Sequence, residues 1–159
     1  MPTFMAFLLE NTRRVVIKVG TGILTSSLGQ LDQERIAAIC DQVARLRERG
    51  IQVTLVSSGA IGLGMGLLGL KRRPAKMPTL QVCAALGQTL LIESWQAALK
   101  PHGILAAQLL FTRDDLKSRT RHIRAKDMME TMLSKEIVPI VNENDSISTE
   151  EIKFGDNDV

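Results

Sequence analysis

Residues 15–23 read Val15-Val16-Ile17-Lys18-Val19-Gly20-Thr21-Gly22-Ile23. The β-branched run Val15, Val16 and Ile17 predicts a buried strand. Lys18 stands inside that apolar run, and Gly20-Thr21-Gly22 follows directly. A cation at the carboxyl end of a strand, beside two glycines, suits a site for phosphate. Residues without Cβ let backbone N–H groups approach an anion, and the ammonium supplies the opposite charge. The same nine residues also fit a lysine that snorkels from a strand end before a tight turn. On their own they leave both readings open.

Working outward, Thr25 to Gly29 reads as a turn and Asp32 as a helix cap. Ile36, Ile39, Cys40, Val43 and Leu46 then keep helical spacing up to Gly50, a suitable residue just past a helix end. Ile51–Ser57 is a second strand and runs into Ser58-Gly59-Ala60. Strand, helix, strand in this order predicts an α/β fold with a mostly parallel open sheet and a right-handed crossover. Both glycine loops, at Gly20 and at Ser58-Gly59, then lie at the carboxyl ends of parallel strands, where open sheets bind ligands.

The rest of the chain extends this pattern. Gly64, Gly66 and Gly69 match G-x-G-x-x-G but begin several residues into a helix, and the next acid is Glu93. A glycine-rich helix packed closely on a neighbour fits better than a dinucleotide fingerprint. Lys71, Arg72, Arg73 and Lys76 make a basic loop around Pro74, read as a solvated linker. Pro78 opens a long helix through Leu99 that is apolar on more than one side, as for a deeply buried helix or one that also meets a second subunit. Ile104–Phe111 reads as a strand, Thr112–Glu136 as a charged, mostly helical stretch, and Ile137–Val141 as a short buried strand. Asn142-Glu143-Asn144-Asp145 follows, then a hairpin-like segment from Ile147 to Phe154, then Gly155-Asp156-Asn157-Asp158. These clusters place four acids and three amides within seventeen residues. They fit well-made turns, and equally carboxylates that bind an ammonium group or hydrated Mg²⁺ and position lysines.

Composition removes several classes. The chain has 159 residues, 45% hydrophobic and 23% charged, as for one soluble domain or part of one. Aromatics are 3% with no tyrosine, so stacking platforms for single-stranded nucleic acid are not expected, and the net charge of +3 is modest. Cys40 and Cys83 fall in apolar helical patterns, as buried reduced thiols do, and with His102 and His122 they make no zinc spacing. The apolar run near the N-terminus lacks preceding basic residues and is too short for a secretory signal. Ile51 to Leu70 has no charge over twenty residues, but five glycines and a Ser-Ser pair mark it as strand, turn and helix rather than a membrane span.

Four segments in order, VVIKVGTGILT (15–25), LVSSGAIGLG (55–64), IVPIVNENDSIST (137–149) and EIKFGDNDV (151–159), resemble the glutamate 5-kinase (γ-glutamyl kinase) family of the amino acid kinase superfamily. The resemblance implies a three-layer αβα sandwich, with residues 1–159 as its N-terminal, substrate-binding part and the sheet incomplete at the C-terminus. It implies transfer of a phosphoryl group from ATP, with Mg²⁺, to the side-chain carboxylate of L-glutamate. The product is L-glutamyl 5-phosphate, in the first step of proline synthesis. Lys18 would neutralise charge on the transferring group, with Gly20, Thr21 and Gly59 around it. Ser58, Asp145 and Asn157 would hold glutamate, Asp145 meeting its amino group. Asp158 would orient catalytic lysines and Asp156 would help to place the substrate.

The substrate carboxylate is already a nucleophile, so this chemistry rests on positioning and charge stabilisation rather than on a base. The resemblance further implies a cytoplasmic homo-oligomer open to feedback by L-proline, with no nucleic-acid or membrane partner and no side-chain metal centre. In that family the kinase domain continues beyond the last motif with the nucleotide half, and many members add a small C-terminal domain. The other function kept open is a non-catalytic glutamate- or proline-binding or regulatory module.

Overall fold

The computed structural model describes residues 12–27 and 29–147. Four strands, β1 (Arg14–Val19), β4 (Gln52–Ser57), β5 (Ala106–Phe111) and β6 (Val138–Glu143), form one sheet in the order β1-β4-β6-β5. Every pairing is parallel, with Val19 opposite Ser57, Val56 opposite Val141 and Phe111 opposite Glu143. All four carboxyl ends therefore share one edge of the fold. A small antiparallel ribbon, β2 (Thr25–Ser27) with β3 (Gln30–Leu31), occupies the stretch expected to be a turn.

Helices cover both faces of the sheet. On one side lie α1 (Thr21–Leu24), α2 (Gln33–Glu48), α3 (Ala60–Leu67) and α4 (Met77–Leu99). Ile36, Cys40 and Val43 of α2 and Leu91, Trp95 and Leu99 of α4 pack in one core with Val19, Val53, Leu55, Val138 and Ile140. On the other side lie α5 (Arg113–Lys117) and α6 (Arg119–Ser134). Arg14 of β1 reaches α6 through two bonds to the Glu130 carboxylate, at 2.6 and 2.7 Å. The αβα layering is as expected.

Local signals account for most boundaries. Asp32 caps α2, its Oδ1 accepting from the Arg35 backbone N–H at 3.1 Å, and Gly50, at φ +77°, follows the helix end. Pro78 stands in the first turn of α4, where its missing N–H costs nothing. Thr112 and Asp115 form a reciprocal capping box that starts α5.

Two expectations change. The first strand is not buried: its exposure alternates, and Val16 is 68% exposed, because β1 is an edge strand of the described sheet and residues 14, 16 and 18 face the thinly covered side. Second, Asn142 and Glu143 belong to β6, so only Asn144 and Asp145 leave the strand end. The charged stretch is mostly helical, as expected, in two helices with Ser118 extended between them at φ −76°, ψ 114°. The hairpin-like segment from Ile147 and the Gly155–Asp158 cluster lie outside the described residues, Ile147 apart.

The glycine-rich helix packs as expected. A Cβ on Gly64 would overlap the Cys83 carbonyl of α4, and one on Gly87 would overlap the Ala60 carbonyl of α3. This close seam fixes the start of α3, which carries the second glycine loop.

Candidate active site

The two glycine loops meet at the common strand edge. The Ser58 backbone N–H donates to the Val19 carbonyl at 3.3 Å, and the Ser58 hydroxyl reaches the same oxygen at 3.3 Å. The Thr21 and Ser58 hydroxyl oxygens stand 3.3 Å apart. Gly59 adopts φ +103°, which only glycine takes up readily, and caps α3. A Cβ there would come 3.3 Å from Thr21 Cγ2, so bare backbone is what lines this junction. The first amides of α3 point out of the helix without helical partners, and no acid stands in its first turn. Hydroxyls, a Cβ-free turn and a helix start make a junction suited to anionic oxygen.

Behind this junction the end of β4 is anchored in the core. The buried Trp95 indole N–H donates to Ser57 Oγ at 3.0 Å. Nothing in the spacing of Trp95 pointed to this tie, because it joins a helix and a strand 38 residues apart.

Beside the junction lies a cavity of about 470 Å³ between α4 and the ends of β5 and β6. Ala60, from the start of α3, forms one wall, Asp145 and Asn144 another, and Ala84, Ala85, Gln88 and Thr89 of α4 a third. Asn144 is tied back by its backbone N–H to the Phe111 carbonyl at 2.9 Å, and its side chain accepts from Ser146 Oγ at 2.7 Å. Three side-chain amides cross the wall in one direction. Asn142 Nδ2 donates to Gln88 Oε1 at 2.7 Å, and Gln88 Nε2 donates to Gln108 Oε1 at 2.9 Å.

Of the residues expected at the site, Thr21, Ser58 and Gly59 come together in the junction, Gly20 stands next to Thr21 at the start of α1, and Asp145 lines the adjoining cavity. Lys18 is exposed at the end of β1, on the same sheet face as Arg14 and Val16. Asp156, Asn157 and Asp158 lie outside the described residues. Gln88 was not singled out from the sequence; it is one of three glutamines in a largely apolar helix, with Gln81 and Gln96, and nothing in its spacing set it apart. Among the described residues no group of three or more His, Cys, Asp or Glu side chains is placed to hold a metal ion. Cys40 and Cys83 are free and buried, and burial, with Asp41 nearby, pushes the Cys40 thiol up to about 12. Among the described residues no helix is long and apolar enough to cross a membrane.

A sequence model of the amino acid kinase family matches residues 13–159. The chain belongs to the amino acid kinase family. It is 51% identical over 148 residues to a glutamate 5-kinase of Thermus thermophilus, which covers 93% of this chain and 40% of the relative. A glutamate 5-kinase of Trichlorobacter lovleyi is 46% identical over 151 residues, and one of Methylococcus capsulatus 44% over 150. In both cases 40% of the relative is covered. The chain thus spans about two fifths of the length of these curated relatives. The parallel sheet flanked by helices is the architecture that the motif order implied.

Proposed function

We propose that this chain carries the amino-acid side of a glutamate 5-kinase, which transfers the terminal phosphoryl group of ATP to the side-chain carboxylate of L-glutamate. The observation that carries the reading is the junction of the two glycine loops, locked by Thr21, Ser58 and Val19, with Ala60, the residue after Gly59, forming a wall of the Asp145 cavity. The similarity to proteins named glutamate 5-kinase selects glutamate among possible substrates.

In this reading the residues divide the chemistry between binding and charge stabilisation. A glutamate seated in the cavity has its ammonium group met by Asp145, and its side chain runs toward Ser58. Its carboxylate then meets the phosphoryl group at Gly20, Thr21 and Gly59. Gly59 supplies bare backbone, and the start of α3 supplies positive dipole where charge builds up. Lys18 adds its ammonium to the transferring group, and Asn157, Asp156 and Asp158 complete the substrate and lysine contacts in this reading. The Cβ-free turn and the hydroxyl pair fit ATP phosphate oxygens. Bound Mg²⁺ neutralises phosphate charge and is held largely by those phosphates, as is usual for this ion. Residues 1–159 then form the substrate-binding part of the kinase domain, and the wider reading extends to proline synthesis in the cytoplasm, feedback by L-proline and a homo-oligomer.

Steady-state kinetics on the full-length gene product test this assignment. Lys18→Ala is expected to lower kcat by about a hundredfold or more with little change in the KM for glutamate, since its charge acts on the transferring group. Asp145→Ala is expected to raise the KM for glutamate more than tenfold. An unchanged kcat in the first variant, or an unchanged KM in the second, overturns the role assigned to that residue.

A further inference from the structure

We propose that Gln88 is a positioning residue that sets the affinity of the cavity for its amino-acid substrate through Asn142. Asn142 is only 5% exposed and sits at the end of β6, three residues before Asp145. Its Nδ2 donates to Gln88 Oε1 at 2.7 Å, which fixes the rotation of the Asn142 amide and the sense in which its oxygen points. Gln88 is in turn held by donating to Gln108 Oε1 at 2.9 Å, so its own amide has one orientation.

An ordered relay of this kind holds its members more firmly than separate bonds do. It joins three elements: α4, the end of β6 and β5. Gln96, two turns along α4, repeats the tie by donating to the Ala106 carbonyl of β5 at 3.2 Å. That second bond keeps α4 seated on β5 without Gln88. The Gln88 relay is therefore not needed to dock the helix, whereas it is the only described hydrogen bond of the Asn142 side chain. Its effect falls on the strand end that leads into Asn144 and Asp145. Gln88 and Asp145 line the same cavity, so a freed Asn142 amide disturbs the wall on which the substrate rests. Work at such a wall depends on supporting residues that lock the contact residues in place.

The inference rests on the glutamate reading, and the test separates the two. L-glutamate is titrated by calorimetry into the unaltered protein and into Gln88→Met, Gln88→Glu and Gln96→Met, with thermal unfolding recorded for each. Gln88→Met keeps volume and removes both bonds, and its glutamate Kd is expected to rise about tenfold. Gln88→Glu keeps the oxygen that accepts from Asn142, and its Kd is expected within about threefold of the unaltered value. Gln96→Met, at a residue that lines the same cavity but makes no bond to Asn142, lowers Tm and is expected to change Kd by less than about threefold. A Gln88→Met protein that loses Tm but binds glutamate as before shows a purely structural tie and overturns the proposal. Should Gln88→Met not fold, a tenfold loss in Gln88→Glu overturns it instead. Absence of glutamate binding by the unaltered protein overturns the substrate reading, and this inference with it.

Discussion

Replacing Gly87 by alanine separates two opposed effects whose sizes differ. Gly87 lies in the middle of α4, where alanine is normally favoured over glycine by about 0.5–1 kcal/mol. The new methyl, however, would overlap the Ala60 carbonyl and stand 2.6 Å from the Gly64 backbone nitrogen. Ordinary contact requires about 3.5 Å, so α3 and α4 must part by roughly 2 Å where the carbonyl is overlapped. The obstructing atoms are backbone, which no rotamer change can move. Overpacking of this sort costs about 1–3 kcal/mol and more where backbone must shift. The upper end applies, giving a net loss of about 2–3 kcal/mol and a fall in Tm of roughly 5–10 °C for a chain of this size. Ala60 follows Gly59 directly, so the same displacement moves the glycine turn and weakens substrate binding. Gly62→Ala is the control, because no atom stands within 4 Å of its Cβ. It is expected to gain about 0.5–1 kcal/mol from propensity alone. Calorimetric unfolding of both variants decides the matter. A Gly87→Ala protein that melts at or above the unaltered Tm refutes the close-seam account.

Further outcomes follow from single contacts. Trp95→Phe leaves Ser57 Oγ without its indole donor and is expected to cost about 1–3 kcal/mol in denaturant titrations. The sole tryptophan should also emit as a buried indole in the unaltered protein. Cys40 and Cys83, buried and with raised thiol pKa values, should resist a thiol reagent at about pH 8 until denaturant is added. The Thr112 backbone N–H and hydroxyl, with Arg121, hold the Asp115 carboxyl below the usual carboxylate range. Its folded pKa is depressed, so its contribution is complete above the ordinary carboxylate pKa of about 4 and is lost as pH falls through the folded value. Asp115→Asn should therefore flatten the acid limb of a stability–pH curve and leave its slope near neutrality unchanged.

The glycine loops, the capped helices and the parallel sheet were legible because each rests on local signals: β-branched runs, Asp32 as a cap, Pro78 in a first turn. Burial of β1 was not legible. Val15-Val16-Ile17 has the composition of a central strand, and only its place in the sheet order decides that Val16 faces outward. Ser118 breaks a charged stretch that has no strong periodicity, so the α5–α6 boundary had no apolar pattern to mark it. The ribbon β2–β3 was hidden because Thr25-Ser26-Ser27 reads as turn chemistry as readily as strand. In the candidate site, the strand-end loops at Gly20 and Ser58-Gly59 stood out from strand runs followed by glycines, whereas the roles of single residues came only from the resemblance. Gln88 and Trp95 did not stand out, since their partners are 54 and 38 residues away and meet them only through the fold.

The measurement that bears most directly on the central claim is calorimetric titration of L-glutamate into the protein, repeated with Asp145→Ala. Saturable one-to-one binding that the substitution weakens more than tenfold is the expected result, and it places the amino acid in the cavity beside the glycine junction. No binding, or equal affinity in both proteins, contradicts that placement.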